Sequence, residues 1–198
     1  MAVTRERFEQ GLTYDEWKAQ MTRNRERFEQ NERGLVLSHE DLAPFRALAR
    51  PLRVVVLAED WCGDVVANFP ILGRIAEETG TLDLRVFLRD QSDDLMGQYL
   101  NQGQFKSIPV MAFFDEDFRQ VGLFIERPAS VTELREKKRA ELDAHLGIAP
   151  DAVMTELPEE LRQRLQEEVG RMREETKPFA DREVVRELRE IVSRVSVA

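Results

Sequence analysis

Leu52-Arg-Val-Val-Val-Leu-Ala58, then Glu59-Asp-Trp-Cys-Gly-Asp64, then Val65-Val-Ala-Asn-Phe-Pro-Ile-Leu-Gly-Arg-Ile-Ala-Glu-Glu-Thr79 and Gly80, is the stretch that decides the fold. The first segment is nearly continuous in apolar residues, as a central buried strand is. The third has helical composition and closes at a glycine, a helix C-terminal signal. Pro70 inside it predicts a kink. Between them stands Cys62, the only cysteine of the chain. A strand that enters a helix through Cys62-Gly63 puts the thiol at a helix N-terminus. Unpaired N–H groups and the positive end of the dipole there favour a thiolate by about 0.3–1 kcal/mol, and about 2 when partly buried. Glu59, Asp60 and Asp64 oppose it. One such charge about 4 Å away costs about 1 kcal/mol in water and about 4 near a protein surface. No Lys, Arg or His lies within the loop, so the sign of the balance stays open.

Working outward, the strand–helix alternation continues over residues 51–147. Leu82–Leu88 reads as a second strand and Ser92–Leu100 as a short helix. Val110–Phe114 and Gln120–Ile125 read as a strand pair turning at Asp115-Glu-Asp117. A charged amphipathic helix over about 130–146 follows. The order βαβαββα predicts two crossover units and a hairpin, hence an α/β fold with a mixed sheet covered by helices.

Residues 1–50 read as an N-terminal helical extension. Thr13-Tyr-Asp-Glu16 forms a capping box, and Trp17, Met21 and Phe28 share a face. The hexapeptide Arg-Glu-Arg-Phe-Glu-Gln occurs at 5–10 and again at 25–30. It is either a coincidence of charged composition or two helix turns docking through Phe8 and Phe28. A further helix is expected from about Asp41 to Arg50, with Pro44 in its first turn. Residues 148–198 read as a C-terminal helical extension. Leu157, Leu161, Leu165, Val169 and Met172 stripe one helix. Pro178 is expected to break the run, and Val184, Val185, Leu188, Ile191, Val192 and Val195 stripe a second. Such stripes pack on the domain or on a second subunit, as in a homodimer.

The net charge of −9 over 198 residues excludes nucleic acid as the expected partner, since that binding neutralises phosphates. The densest basic run, Arg135-Glu-Lys-Lys-Arg139, is a solvated helix face. No segment approaches the roughly 18 apolar residues of a membrane span, and the first ten residues lack an apolar signal core. The expected location is cytoplasmic. One cysteine allows no internal disulfide and no cysteine-cluster metal site. His39 and His145 fall in separate blocks and read as helix-end surface residues. There is no Walker loop, no Gly-x-Gly-x-x-Gly and no histidine cluster, and no metal or cofactor is expected.

Trp61-Cys62-Gly63 after a strand, with Ile108-Pro109 before a strand pair, resembles the thioredoxin superfamily over about residues 51–146. The resemblance implies a three-layer sandwich around a mixed sheet, with the helical extensions added. It implies a cis Pro109 facing Cys62, and an Ile108 whose N–H and C=O pair with bound peptide. Cys62 would then be the catalytic thiol, and Trp61, Gly63, Asp64, Ile108 and Pro109 would face substrate. Glu59 and Asp60 read as surface acids, a specificity rim or a general base. Asp64 reads chiefly as a helix-start residue that caps N–H groups.

The departures matter as much. Val65 stands where the family's second cysteine would be, and Val56 where it carries a buried acid. Without a resolving thiol that acid would only cost desolvation. Two-cysteine exchange is excluded. What the resemblance leaves is a monothiol oxidoreductase, in which Cys62 attacks a protein or peptide disulfide and glutathione or another small thiol resolves the product. A glutaredoxin-like iron–sulfur variant ranks lower, because the acidic loop suits neither a glutathione carboxylate nor an anionic cluster. The alternative is a non-enzymatic peptide- or protein-binding module on the same fold.

Overall fold

The computed structural model describes residues 3–195. Strands β1 (Leu52–Ala58), β2 (Leu82–Leu88), β3 (Val110–Phe114) and β4 (Gln120–Ile125) form one sheet in the order β2-β1-β3-β4. β1 and β3 sit at its centre, and residues 54–58 and 110–114 are all buried. β1 pairs parallel with β2 and antiparallel with β3, and β3 pairs antiparallel with β4. The sheet therefore holds one parallel crossover, not two, because the chain reverses between β2 and β3.

The helices are α1 (Arg5–Glu9), α2 (Tyr14–Gln20), α3 (Arg25–Gly34), α4 (His39–Arg46), α5 (Gly63–Thr79), α6 (Asp93–Met96), α7 (Ala129–His145) and α8 (Glu159–Val195). Short 3-10 turns stand at Arg89–Gln91 and Met154–Glu156. Three details differ from the sequence reading. α4 starts earlier, because Ser38 and Asp41 close a capping box around its start, and Pro44 falls in the second turn. The helix expected over Ser92–Leu100 contracts to α6, which follows the 3-10 turn at Arg89–Gln91. α8 runs on through Pro178 as a single helix, since one exposed proline removes one hydrogen bond and the rest of the ladder continues.

Residues up to Arg127, together with those from Val184 on, make one compact unit, and Pro128–Glu183 a second. In the first unit the N-terminal helices hold α5, the helix that starts at Cys62. Tyr14 and Trp17 of α2, Phe28 of α3 and Phe69 of α5 meet as an aromatic cluster with ring centroids 5.1–6.0 Å apart. Gly73 makes this approach possible, since a Cβ there would lie 2.3 Å from the Tyr14 ring. Both copies of the repeated hexapeptide are helical and each buries its phenylalanine, Phe8 against Phe118 and Phe28 in the cluster. The Thr13–Glu16 capping box is present.

Leu12 pairs with Val86 through N–H···O bonds of 2.9 and 2.7 Å and so covers the β2 edge. Val184, Val185, Leu188, Ile191 and Val192 join the same core, and Ile191 lies against β4, where a Cβ on Gly122 would come within 2.2 Å of it. Pro70 lies within α5 and has no N–H for the Val66 carbonyl one turn back. Asn31 of α3 supplies the donor instead, its Nδ2 standing 2.8 Å from that oxygen.

In the second unit, Val131, Ile148, Leu165 and Ala180 are buried. The Ser130 hydroxyl donates to Glu183. No helix among the described residues is long and apolar enough to cross a membrane.

Candidate functional site

β1 ends at Ala58, and the chain turns through Glu59–Cys62 into α5. Cys62 takes an extended φ/ψ as the N-cap residue, its N–H bonded to the Glu59 carbonyl at 3.2 Å. Its carbonyl accepts the first helical bond, from Val66 at 3.0 Å. The thiol thus sits where the sequence puts it, at a helix start. Its surroundings come from elsewhere in the chain.

The Ile108–Pro109 peptide is cis. The Cys62 thiol donates to the Ile108 carbonyl at 3.5 Å, so the lone cysteine and the strand-opening Ile-Pro meet. Ile108 is itself buried, and its carbonyl is the part that meets the thiol. Burial pushes the Cys62 thiol up. The backbone N–H groups of Val65 and Asp64 pull it down, the carboxylates of Asp64 and Glu126 push it further up, and the upward effects win. The balance left open by the sequence is thereby decided against the thiolate.

The acids of the loop go three different ways. Glu59 accepts the Asp90 N–H at 3.0 Å. Asp60 accepts from the Thr22 N–H at 2.6 Å, the Thr22 hydroxyl at 3.2 Å and the Arg23 N–H at 2.9 Å, while Asn24 donates to its carbonyl. Burial acts upward on Asp60, but those backbone and hydroxyl donors outweigh it and hold its carboxyl below the usual range. Asp64 is buried and forms a two-pronged ion pair with Arg127, at 3.0 and 3.3 Å. Trp61 is 41 % exposed, with the Arg89 guanidinium over its ring at 4.6 Å. Gly63 opens α5 and is exposed.

Residues that the sequence reading did not single out complete the site. Glu126 follows β4 with φ +62, a left-handed backbone for a residue with a Cβ. Its N–H donates to the Pro109 carbonyl at 2.7 Å, and its carbonyl accepts from Asn68 at 2.7 Å. Its carboxylate accepts from Asn101 at 3.0 Å and from Arg127. No short-range pattern marks these residues, which gather only when the sheet forms. Among the described residues no group of three or more His, Cys, Asp or Glu side chains is placed to hold a metal ion, and His39 and His145 lie in different units.

A family model described as "Thioredoxin" matches residues 11–140, about two thirds of the chain. The chain belongs to the thioredoxin family. No curated protein matches by sequence. Among solved structures, a protein of unknown function from Pseudomonas aeruginosa is 17% identical with a TM-score of 0.63. The alignment covers 100% of this chain and 99% of that one. An HIV epitope-scaffold is 14% identical, with a TM-score of 0.64 and the same coverage. At these identities they show a shared fold. The family match begins at Gly11, between α1 and α2, at the residue before the one that pairs with β2.

Proposed function

We propose that this thioredoxin-family chain carries out monothiol thiol–disulfide exchange through Cys62. The observation that supports this most is the approach of the Cys62 sulfur to the Ile108 carbonyl beside cis Pro109. A disulfide-bearing peptide laid along that backbone would bring its sulfur to the thiol. The Cys62 thiolate attacks one sulfur of the partner disulfide, forming a Cys62 mixed disulfide and releasing the other half as a thiol that takes up the proton. A second, external thiol such as glutathione then attacks the mixed disulfide. Cys62 returns to its thiol form and the partner leaves as a new disulfide. The small-thiol pool of the cytoplasm is the supply that this reading expects.

One observation favours the second reading, a peptide-binding module without turnover: burial pushes the thiol up, which keeps the thiolate fraction small at neutral pH. The two separate on one experiment. The protein is incubated with a glutathionylated peptide at pH 7, 8 and 9, and the Cys62 adduct is followed by mass spectrometry. Exchange requires an adduct whose formation quickens with pH and that free glutathione removes. Absence of adduct at pH 9, with peptide binding retained in Cys62→Ser, leaves the binding module.

A further inference from the structure

The thiol's charged neighbours converge on one guanidinium. Asp64 reaches it from the first turn of α5, and Glu126 from the turn after β4. Glu126 is itself fastened at its backbone N–H to Pro109, at its carbonyl to Asn68 and at its carboxylate to Asn101. Left-handed backbone in a non-glycine residue is strained and persists only where the surroundings over-determine it. These tethers supply that. The remaining acids near Cys62 are committed elsewhere, Glu59 to the Asp90 N–H and Asp60 to the Thr22–Arg23 backbone. Arg89, the cation on the Trp61 side, stacks on the indole and pairs with Asp90.

We infer that Arg127 is a positioning residue for Cys62: it bridges Asp64 at the helix start and Glu126 at the cis-proline edge, joins the two walls of the cleft, and screens the thiol from both carboxylates. With the guanidinium removed, its positive charge no longer offsets the two carboxylates beside the sulfur, and a thiolate is disfavoured further. With Glu126 neutralised, one of those charges is gone and the thiolate gains. The inference deepens the exchange reading and rests on it for its meaning in turnover. The ionisation of Cys62 is measurable without it.

The experiment is the rate of Cys62 alkylation by iodoacetamide against pH, clean because no other thiol competes, with folding checked by circular dichroism. Arg127→Met is expected to raise the midpoint by about one pH unit, Arg127→Lys to give an intermediate value, and Glu126→Gln to lower it. Below the midpoint, each unit of change corresponds to about a threefold change in rate, since nucleophilicity partly offsets the thiolate fraction. Arg127→Met combined with Glu126→Gln is expected to return toward the parent value. A merely structural role would change the unfolding midpoint and leave the pH profile in place. If Arg127→Met does not fold, Arg127→Lys and Glu126→Gln carry the test. Folded variants whose pH midpoints equal the parent's overturn the inference. Shifted midpoints without any adduct on the glutathionylated peptide would overturn the exchange reading alone.

Discussion

Cys62 is held as a thiol by its burial, and that fixes its behaviour with pH. A group whose folded-state pKa lies above its unfolded value stabilises the fold below the unfolded value and loses that contribution as pH rises. For a cysteine the loss starts near the free value of about 8.5. Alkylation of the native protein is therefore expected to show a midpoint above about 8.5. Above about pH 8.5, urea midpoints should fall more steeply for the parent than for Cys62→Ser. Tyr14 works the same way at higher pH. Burial first, then its 2.7 Å hydrogen bond to Glu32, pushes its hydroxyl up. Tyr14→Phe is expected to cost about 1 kcal/mol at pH 7, Lys18 keeping Glu32 partnered, and to lessen the loss of stability above about pH 10. What was legible at this scale was the thiol and its Ile-Pro partner, because each is marked by its own tripeptide or dipeptide. Arg127 was not, since nothing near Asp64 in sequence announces a guanidinium that arrives after β4.

Among elements, α5 illustrates how a local rule is broken and repaired from outside. Its span, Gly63–Thr79, follows from the thiol-bearing turn and the Gly80 stop, and Pro70 contradicts it only locally. The repair is Asn31, and a double-mutant cycle isolates it. Asn31→Ala is expected to cost about 1–3 kcal/mol, because the Val66 carbonyl then lacks a donor. In a Pro70→Ala background the same change should cost much less, since the introduced alanine brings its own N–H to that carbonyl. Urea denaturation of the four proteins measures the coupling. Asp60→Ala tests the link between the site loop and the α2–α3 turn. It leaves the Thr22 and Arg23 N–H groups without their carboxylate, for an expected loss of about 1–3 kcal/mol and faster proteolysis near residues 22–24. Periodicity and flanking glycine made the strands and α5 readable. Side-chain bonds to a neighbouring helix's backbone have no period, and neither does the continuation of α8 past Pro178.

At the scale of the molecule, the stripe from Val184 to Val192 belongs to the core of the unit that holds the thiol. Each such side chain contributes about 1.5–3 kcal/mol on burial, and the five together compare with the whole stability of an ordinary domain, about 5–15 kcal/mol. A chain ending at residue 147 is expected to lose its cooperative unfolding transition, although it contains the whole family match. Gly122→Ala, which drives a methyl into Ile191, should cost about 1–3 kcal/mol, with part of that restored by Ile191→Ala. The stripe itself was visible in the sequence. Its destination was not, because an amphipathic face says that it will be covered and not by what. Gly122 against Ile191 carries a last consequence, in the order of events at birth. A ribosome makes a chain from its N-terminal side onward, and every strand is synthesised before the residues that seal β4. The sheet must wait, with one apolar surface open, until residue 191 has left the ribosome, so the Cys62 thiol gains its finished setting only after all four strands are made.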